Sequence, residues 1–386
     1  MPLEQIAQSA VKRLWRQKSD DTSCHYARVP IAVLSDLHIG AVRKRSLAVE
    51  PAMLAALGER LDGIDHVVLL GDVLELREAR LGDVLPRAEP LFRVLGETLG
   101  SGRVTLVAGN HDHQLAAPLL DAHRLDGAAP LALEATAPPP STGPLASIAG
   151  WLGPAELRIA YPGVWVRDDV FATHGHYLDL HNTVPALECL AVSAVERALG
   201  RTADDRRTPD DYEAALAPFY ALAFELAQGR GPARQTTGSA SVAIWRRTGG
   251  AGRPSTLSGR LLTDVAIPAV VGALNRTGIG PFRPEIDGPA LRRAGLRGIA
   301  DVVYRLSVDA HYVLFGHTHR SGPWPGDDAS EWSLPGGGHL LNTGSWIFDE
   351  AFGATGPYVP GTCVFVDDEG PPRLERLLDE DAATRT

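Results

Sequence analysis

Five short clusters in this chain have the residue types and spacing that chemistry needs. They are Asp36-Leu37-His38, Gly71-Asp72-Val73-Leu74-Glu75, Gly109-Asn110-His111-Asp112, His174-Gly175-His176 and Gly316-His317-Thr318-His319. Carboxylate, imidazole and amide groups brought into one pocket are what a pair of divalent metal ions requires. Taken singly the clusters say less. Asp-x-His after a strand is as good a turn or cap as a ligand pair, and Gly-Asp is an ordinary turn dipeptide. Gly-Asn-His-Asp puts three polar groups where a helix cap needs one. Gly-His-Thr-His is the most specific, because histidines at i and i+2 rarely serve packing. Their joint occurrence, in order and at strand ends, is the strong signal.

Such residues must be positioned by rigid elements, and the apolar runs supply them. Pro30 to Leu34, His66 to Leu70 and Val104 to Ala108 each read as a strand, and each runs into one of the clusters. Between them Leu47 to Leu61 and Leu85 to Leu99 have helical spacing, so the alternation predicts a layered α/β domain with its site at the strand ends. In an extended segment Asp36 and His38 point the same way, as do His317 and His319. Glycines beside Asp72, Asn110, His174 and His317 permit sharp turns there. Gly127 to Leu152, rich in Pro, Ala, Ser and Gly, reads as a loop. Leu157 to Ala160, Val164 to Arg167 and Val170 to Thr173 read as three short strands, and Tyr312 to Phe315, His339 to Asn342 and Cys363 to Val366 as three more.

From His181 to about Asp309 the pattern turns helical. Thr208-Pro209 followed by Asp211 is a helix start, Pro218 is a kink in that helix, Val184 to Leu199 is apolar on most of its circumference, and Gly288 to Leu306 is amphipathic. The stretch separates two groups of motif residues. The organisation expected is therefore a core of residues 28–180 and 310–380, with residues 181–309 inserted as a helical cap.

The set D-x-H, G-D, G-N-H-D, H-G-H and G-H-T-H resembles the calcineurin-like metallophosphoesterase superfamily. The resemblance implies a four-layer αββα sandwich and a dinuclear metal site. It implies that Asp36, His38 and His319 serve one metal, that Asn110, His174 and His317 serve the other, and that Asp72 bridges them. It also implies that a metal-bridging hydroxide attacks phosphorus while His111 assists the leaving group, with Glu75 or Asp112 orienting His111 and Glu75 preferred. Nitrogen and oxygen donors suit Mn2+, with Fe2+/Fe3+ and Zn2+ as alternatives. Arg320 and His176 are candidate substrate contacts, His113 lies beside the motif, and Asp179 and Asn342 are candidate partners of the histidines.

The protein-phosphatase pattern G-D-x-x-D-R-G is replaced here by GDVLELRE. The layout, with a helical insertion before the last histidine pair, is closer to the UDP-diacylglucosamine hydrolase type. This points to a diester or pyrophosphate in a small-molecule or lipid-linked substrate. A phosphomonoesterase and a catalytically silent metal-binding scaffold are the alternatives.

Bulk composition narrows the partners. The 386 residues are 44% hydrophobic and 22% charged, as in ordinary globular proteins, and the formal charge of −10 disfavours nucleic acid. Three scattered cysteines, Cys24, Cys189 and Cys363, suit a reducing compartment and form no thiolate site. The first residues lack the apolar core of a signal peptide, and no run approaches the ~18 apolar residues of a spanning helix. The expectation is a cytoplasmic protein. Peripheral membrane contact through Val265 to Leu274 is left open, although Pro268 and the missing basic face favour a buried helix.

Overall fold

A computed structural model describes residues 30–42, 44–127, 129–181, 208–229, 288–348 and 358–378. Its strands are β1 (Ile31–Leu34), β2 (Arg45–Ser46), β3 (His66–Leu70), β4 (Arg103–Val107), β5 (Glu134–Ala137), β6 (Glu156–Arg167), β7 (Val170–Thr173), β8 (Tyr312–Phe315), β9 (His339–Asn342), β10 (Ile347–Phe348), β11 (Thr362–Val366) and β12 (Arg373–Arg376). The α-helices are α1 (Pro51–Arg60), α2 (Leu81–Leu99), α3 (Ala117–Asp126), α4 (Pro144–Leu152), α5 (Pro209–Gly229) and α6 (Gly288–Arg305).

The strands follow the order β12-β11-β1-β3-β4-β6-β7-β8-β9, with β5 on β6. β1, β3, β4 and the start of β6 run parallel, and so do β7, β8 and β9. β6 belongs to both halves: Glu156 to Ala160 pairs with β4, and Gly163 onward pairs antiparallel with β7. Gly163 makes the crossing feasible, because a Cβ there would lie 2.4 Å from the Phe171 ring. The two segments read from sequence as separate strands, Leu157 to Ala160 and Val164 to Arg167, are thus one long strand.

Alternation along the strands explains the layering. Val33, Val68, Leu70, Val107, Ala160, Val164, Val170, Leu314 and Val364 meet in one core made by strand residues alone. Their neighbours Leu34, Val67, Leu69, Leu106 and Ile159 face the other way and pack under α1, α2 and α4 through Leu57, Leu91, Leu95, Ile148 and Leu152. On the far side Val313, Phe315 and Leu340 pack against Tyr212, Leu216 and Tyr220 of α5 and Leu296 and Ile299 of α6. Three cores between four layers make the αββα sandwich.

Two local expectations need correction. Gly127 to Leu152 contains β5 and α4 rather than loop alone. Pro144 occupies the first turn of α4, where a missing N–H costs nothing, and Leu145, Ile148 and Leu152 bury one face against α2. Helix α2 starts at Leu81, not Leu85, and carries Pro86 and Pro90 inside it. Both prolines are exposed, so the carbonyls they leave without a donor reach water. At the start of α5, Thr208 donates to Asp211 Oδ2 from both N (2.9 Å) and Oγ1 (2.8 Å), closing the cap as expected. Val184 to Leu199, Val265 to Leu274, Cys24 and Cys189 lie outside the described residues. No described helix is long and apolar enough to cross a membrane.

Candidate metal centre

The clusters leave the carboxyl ends of strands lying side by side. β1, β3 and β4 are adjacent and parallel, and deliver Asp36 and His38, Asp72 and Glu75, and Asn110 and His111 to one edge. β7 and β8, parallel in the other sheet, deliver His174, His317 and His319. The loops stay bonded beyond the strands, with Asp36 N donating to Gly71 O (3.0 Å) and His38 N to Asp72 O (2.8 Å).

These residues are not extended, contrary to the sequence reading. Asp36, His38, Asp72, His317 and His319 have φ of 55°, 43°, 53°, 66° and 59°. A left-handed residue turns the chain sharply and sends its side chain across the sheet edge rather than out of a sheet face. The conformation costs non-glycine residues on the order of 1 kcal/mol each, and such strain clusters where a site demands it.

Two sets of donors result, each with its atoms within 4.8 Å of one another: Asp36, His38 and His319, and Asp72, His174 and His317. In the first, His319 Nε2 is 3.3 Å from Asp36 Oδ1 and 3.1 Å from His38 Nε2. In the second, His174 Nε2 is 3.3 Å from Asp72 Oδ2. That oxygen is also 3.5 Å from His38 Nε2, so Asp72 stands between the sets. The Asn110 amide oxygen joins the second set, 3.0 Å from His317 Nδ1 and 3.2 Å from His174 Nε2.

Three of the four imidazoles are oriented through their other nitrogen, as metal-binding histidines are. His38 Nδ1 bonds Glu75 Oε2 (3.0 Å), His174 Nδ1 donates to Leu70 O (2.9 Å), and His317 Nε2 bonds Asp179 Oδ1 (2.9 Å). Asp36 accepts from Ser35 Oγ and from His317 N, and Asp72 Oδ1 accepts from His111 N at 2.8 Å. Asp112 accepts from the backbone N–H groups of Gly109 (2.7 Å), Val73 (2.7 Å), Asp72 (3.2 Å) and Leu74 (3.2 Å), so it binds two loops together and does not orient His111. Glu75 orients His111: His111 Nδ1 is 2.8 Å from Oε1 and 2.7 Å from Oε2. Glu75 also accepts from the N–H groups of Arg77 and Glu78, both at 3.1 Å. The grouping of His38, Glu75 and His111 is therefore a hydrogen-bond hub.

The electrostatics follow from burial against concentrated charge. Burial alone would depress His38, but Asp36, Glu75 and Asp72 hold it up at about 10. His174, likewise opposed by burial, is held at about 9 by Asp72 and Asp36. Burial wins at His319, which falls to about 4 despite Asp36. Asp36, Asp72 and Glu75 stay well below the usual carboxylate range, because the facing imidazoles outweigh desolvation. The donors, two carboxylates, four imidazoles and one side-chain amide, fit two divalent cations.

Residues 29–217 match the family described as Calcineurin-like phosphoesterase. The chain belongs to this superfamily. The match ends before His317 and His319, which β8 carries to the same edge. A crystal structure of a dimetal phosphatase from Danio rerio aligns over 90% of this chain and 98% of its own, with 12% identity and a TM-score of 0.34. No curated protein matches.

Two residues expected to meet substrate are otherwise engaged. Arg320 is 6% exposed, bonds Asp327 Oδ1 through Nη2 at 2.5 Å and lies over the Trp332 ring at 5.2 Å, so its charge is spent on its own loop. His176 is 1% exposed, with Nε2 on Tyr161 OH (3.1 Å) and its ring behind His174. Burial and the His174 charge keep it neutral, well below the usual imidazole range. His113 is buried too, with Nε2 2.9 Å from Glu213 Oε2. Asn342 steadies the last histidine loop through Gly316 O (2.8 Å) and Thr318 Oγ1 (3.0 Å) and, among the described residues, bonds no imidazole. Sequence reasoning missed Glu213, which accepts from His113, Tyr161 and Tyr177 and so fastens α5 behind the site. An acid early in a helix reads as a solvated residue, and no local signal marks it.

Proposed function

We propose that this protein hydrolyses phosphodiester or pyrophosphate bonds. The ligands of its two divalent ions would be Asp36, His38, Asp72, Asn110, His174, His317 and His319. One observation carries the reading: a single oxygen, Asp72 Oδ2, lies 3.5 Å from His38 Nε2 and 3.3 Å from His174 Nε2, so one carboxylate stands between the two donor sets and could serve both. Two such cations, when bound, would neutralise phosphoryl oxygens and acidify a water. The chain's own part lies with His111 and Glu75. His111 is 24% exposed on its side chain, and Glu75 fixes the ring through Nδ1, leaving Nε2 as the nitrogen that carries a proton to the departing oxygen.

For the substrate we favour a small-molecule or lipid-linked diester or pyrophosphate of the kind UDP-diacylglucosamine hydrolases cleave. Helix α5 covers this side of the sandwich, and Leu222 and Leu226 on it are 58% and 51% exposed, which supports an apolar group nearby and a peripheral membrane contact. Manganese is the proposed metal, with iron and zinc as alternatives, and the cytoplasm the proposed location.

The test compares metal-free and manganese-loaded protein on bis-p-nitrophenyl phosphate and on the monoester, with metal content measured by elemental analysis. Metal-dependent diester cleavage that His111→Ala abolishes is the expected result. Monoester preference would move the reading to a phosphomonoesterase. Two bound metals without turnover of either ester or of a UDP-linked pyrophosphate would leave a silent scaffold.

A further inference from the structure

Away from the metal centre, one further pair of imidazoles stands in the relation of metal ligands. His311 immediately precedes β8 and His339 opens β9. Both are exposed at the amino ends of these strands, whereas His317, His319 and Asn342 stand at the carboxyl ends. The ring centres of His311 and His339 lie 5.2 Å apart, with the ring planes at 85°. The histidine pairs of the two donor sets have nearly the same disposition: His38 and His319 at 5.0 Å and 72°, His174 and His317 at 5.3 Å and 76°. His38 and His111, which share Glu75, are closer, at 4.6 Å. The distance has a simple origin. With a metal–nitrogen bond of about 2.1 Å and about 1.1 Å more to each ring centre, a tetrahedral ion sets two ring centres about 5.2 Å apart.

The backbone brings the pair together before any ion arrives. His339 N donates to His311 O at 2.8 Å, and Tyr312 pairs with His339 across the parallel strands. Tyr312 also stacks on the His339 ring, with 5.6 Å between centres and 25° between planes. His311 N and Tyr312 N both donate to Asp169 O, at 3.0 Å and 2.9 Å, which ties this turn to the start of β7. The Asp169 carboxylate itself is engaged by Arg167 through Nε (2.5 Å) and Nη2 (3.0 Å). Among the described residues no third carboxylate, thiol or imidazole joins the two rings. The protein's contribution is therefore two imidazole nitrogens, with water to complete the shell of an ion.

We propose that His311 and His339 form a second, exposed site for a divalent cation that prefers imidazole, such as zinc, copper or nickel. The ion would clamp the start of β9, a four-residue strand at the end of the strand order, to the start of β8. Donor chemistry sets the class, because two imidazoles without a carboxylate suit these ions and not magnesium, calcium or manganese. The proposal does not depend on the phosphoesterase reading, since the pair lies at the opposite ends of the strands from the metal centre.

The experiment counts zinc. Untagged full-length wild type, His311→Ala, His339→Ala and His123→Ala are equilibrated with the same chelator-buffered zinc and analysed for zinc per chain. Wild type should hold one zinc more than His311→Ala or His339→Ala, whatever number the metal centre takes. It should match His123→Ala, whose ring is engaged by Asp210 at 3.1 Å. Losing one of two protein ligands should weaken this zinc by at least about 100-fold, the upper end of what loss of a mere outer partner costs. Zinc should also slow amide exchange along β9 in wild type and not in the two variants. Manganese content should be the same in all four proteins. The metal-free unfolding midpoints should match too, because both rings are exposed. Equal zinc in wild type and both variants overturns the proposal. So does loss of zinc in only one of them, since the site needs both rings, and so does a parallel loss of manganese, which would trace the effect to the metal centre. Immobilised nickel gives a check that needs no variant, because it reaches exposed imidazoles but not the buried His38 and His174. Wild type should be retained on it, and passage in the flow-through overturns the proposal.

Discussion

Replacing Glu75 by glutamine tests how the two clusters are tied together. The carboxylate is 2% exposed and serves His38 through Oε2 and His111 through Oε1, with the backbone N–H groups of Arg77 and Glu78 also on Oε1. Those backbone donors will hold the amide oxygen of a glutamine at the Oε1 position. Its NH2 then faces His38 Nδ1, which must become an acceptor, so the His38 proton moves to Nε2. That nitrogen faces Asp36 and His319 and is the one a metal needs with its lone pair free. Loss of such an outer partner costs about 10- to 100-fold in metal affinity. We therefore expect one of two metal sites to weaken by that factor while the other, built on His174 and His317, stays within threefold. At saturating metal, kcat should still fall about tenfold, because the bond to His111 weakens from charge-assisted to neutral, a change of about 1.5 kcal/mol. Metal titrations followed by calorimetry and steady-state rates at saturating manganese measure the two effects separately. Two metals bound with wild-type affinity would refute the tautomer argument. A Glu75→Gln/His111→Ala double variant whose kcat loss equals the product of the single losses would refute the coupling of Glu75 to His111.

Metal uptake should release protons. His38 at about 10 and His174 at about 9 are raised above the ordinary imidazole value, so both are protonated in the metal-free protein near neutrality, and both must lose that proton to bind. Raised values of this kind stabilise the metal-free fold below pH 6.5 in full and lose that contribution as pH rises through 9 to 10, while metal affinity climbs over the same window. Calorimetry in buffers of different ionisation enthalpy should give about two protons per loaded molecule, and none would contradict the assignment. Asp112→Ala strips an acceptor from the N–H groups of Gly109, Asp72, Val73 and Leu74 and should destabilise by at least about 3 kcal/mol in denaturant unfolding; less than 1 kcal/mol would show that water replaces it. Gly109→Ala places a Cβ 2.2 Å from Asp72 Oδ1 and 2.6 Å from Asp72 N, so the shared carboxylate must move and elemental analysis should show both metals lost, not one.

The parts of the fold legible in the sequence were those where local pattern and global position agree. β1, β3, β4, β7 and β8 are short apolar runs broken by polar clusters, and each lies within a residue of where periodicity puts it. What escaped was set by tertiary context. Helix α4 hides in a Pro- and Gly-rich stretch because its stability comes from Leu145, Ile148 and Leu152 packed on α2, not from propensity. β6 is one strand because Gly163 lets a single chain pass between sheets, and no local spacing distinguishes that from two strands. At the site, residue types told which side chains gather, but not which bond each makes. Arg320 and Arg77 are both arginines a few residues from motif positions. The first is captured by Asp327 and Trp332, and the second lies over the ring of Phe219, a residue 142 positions away (219 − 77).

The left-handed residues show how the site divides labour between side chains and backbone. Of the six described non-glycine residues with positive φ, Asp36, His38, Asp72, His317 and His319 belong to the metal centre, and Ser307 alone does not. Glycine at any of the five would relieve about 1 kcal/mol of strain, but glycine cannot ligate. The chain therefore uses glycine immediately beside the donors. Gly71 (φ 83°) precedes Asp72, and Gly175 (φ 102°) follows His174. Gly109 and Gly316 are glycines for another reason: a Cβ at either would sit 2.2 Å or 2.4 Å from a carboxylate oxygen of Asp72 or Asp36. The strain of the five donors sums to about 5 kcal/mol, comparable to the whole net stability of a small domain. It is sustained by the backbone bonds that Asp112, Asp36 and Asp72 accept. These carboxylates thus act twice, on the chain through one set of lone pairs and toward the cations through another. A substitution at Asp36 or Asp72 consequently removes a ligand and loosens the loop that presents its neighbours. Loss at the distant partner Asp112 removes only the second function, and that difference separates scaffold from ligand within one cluster.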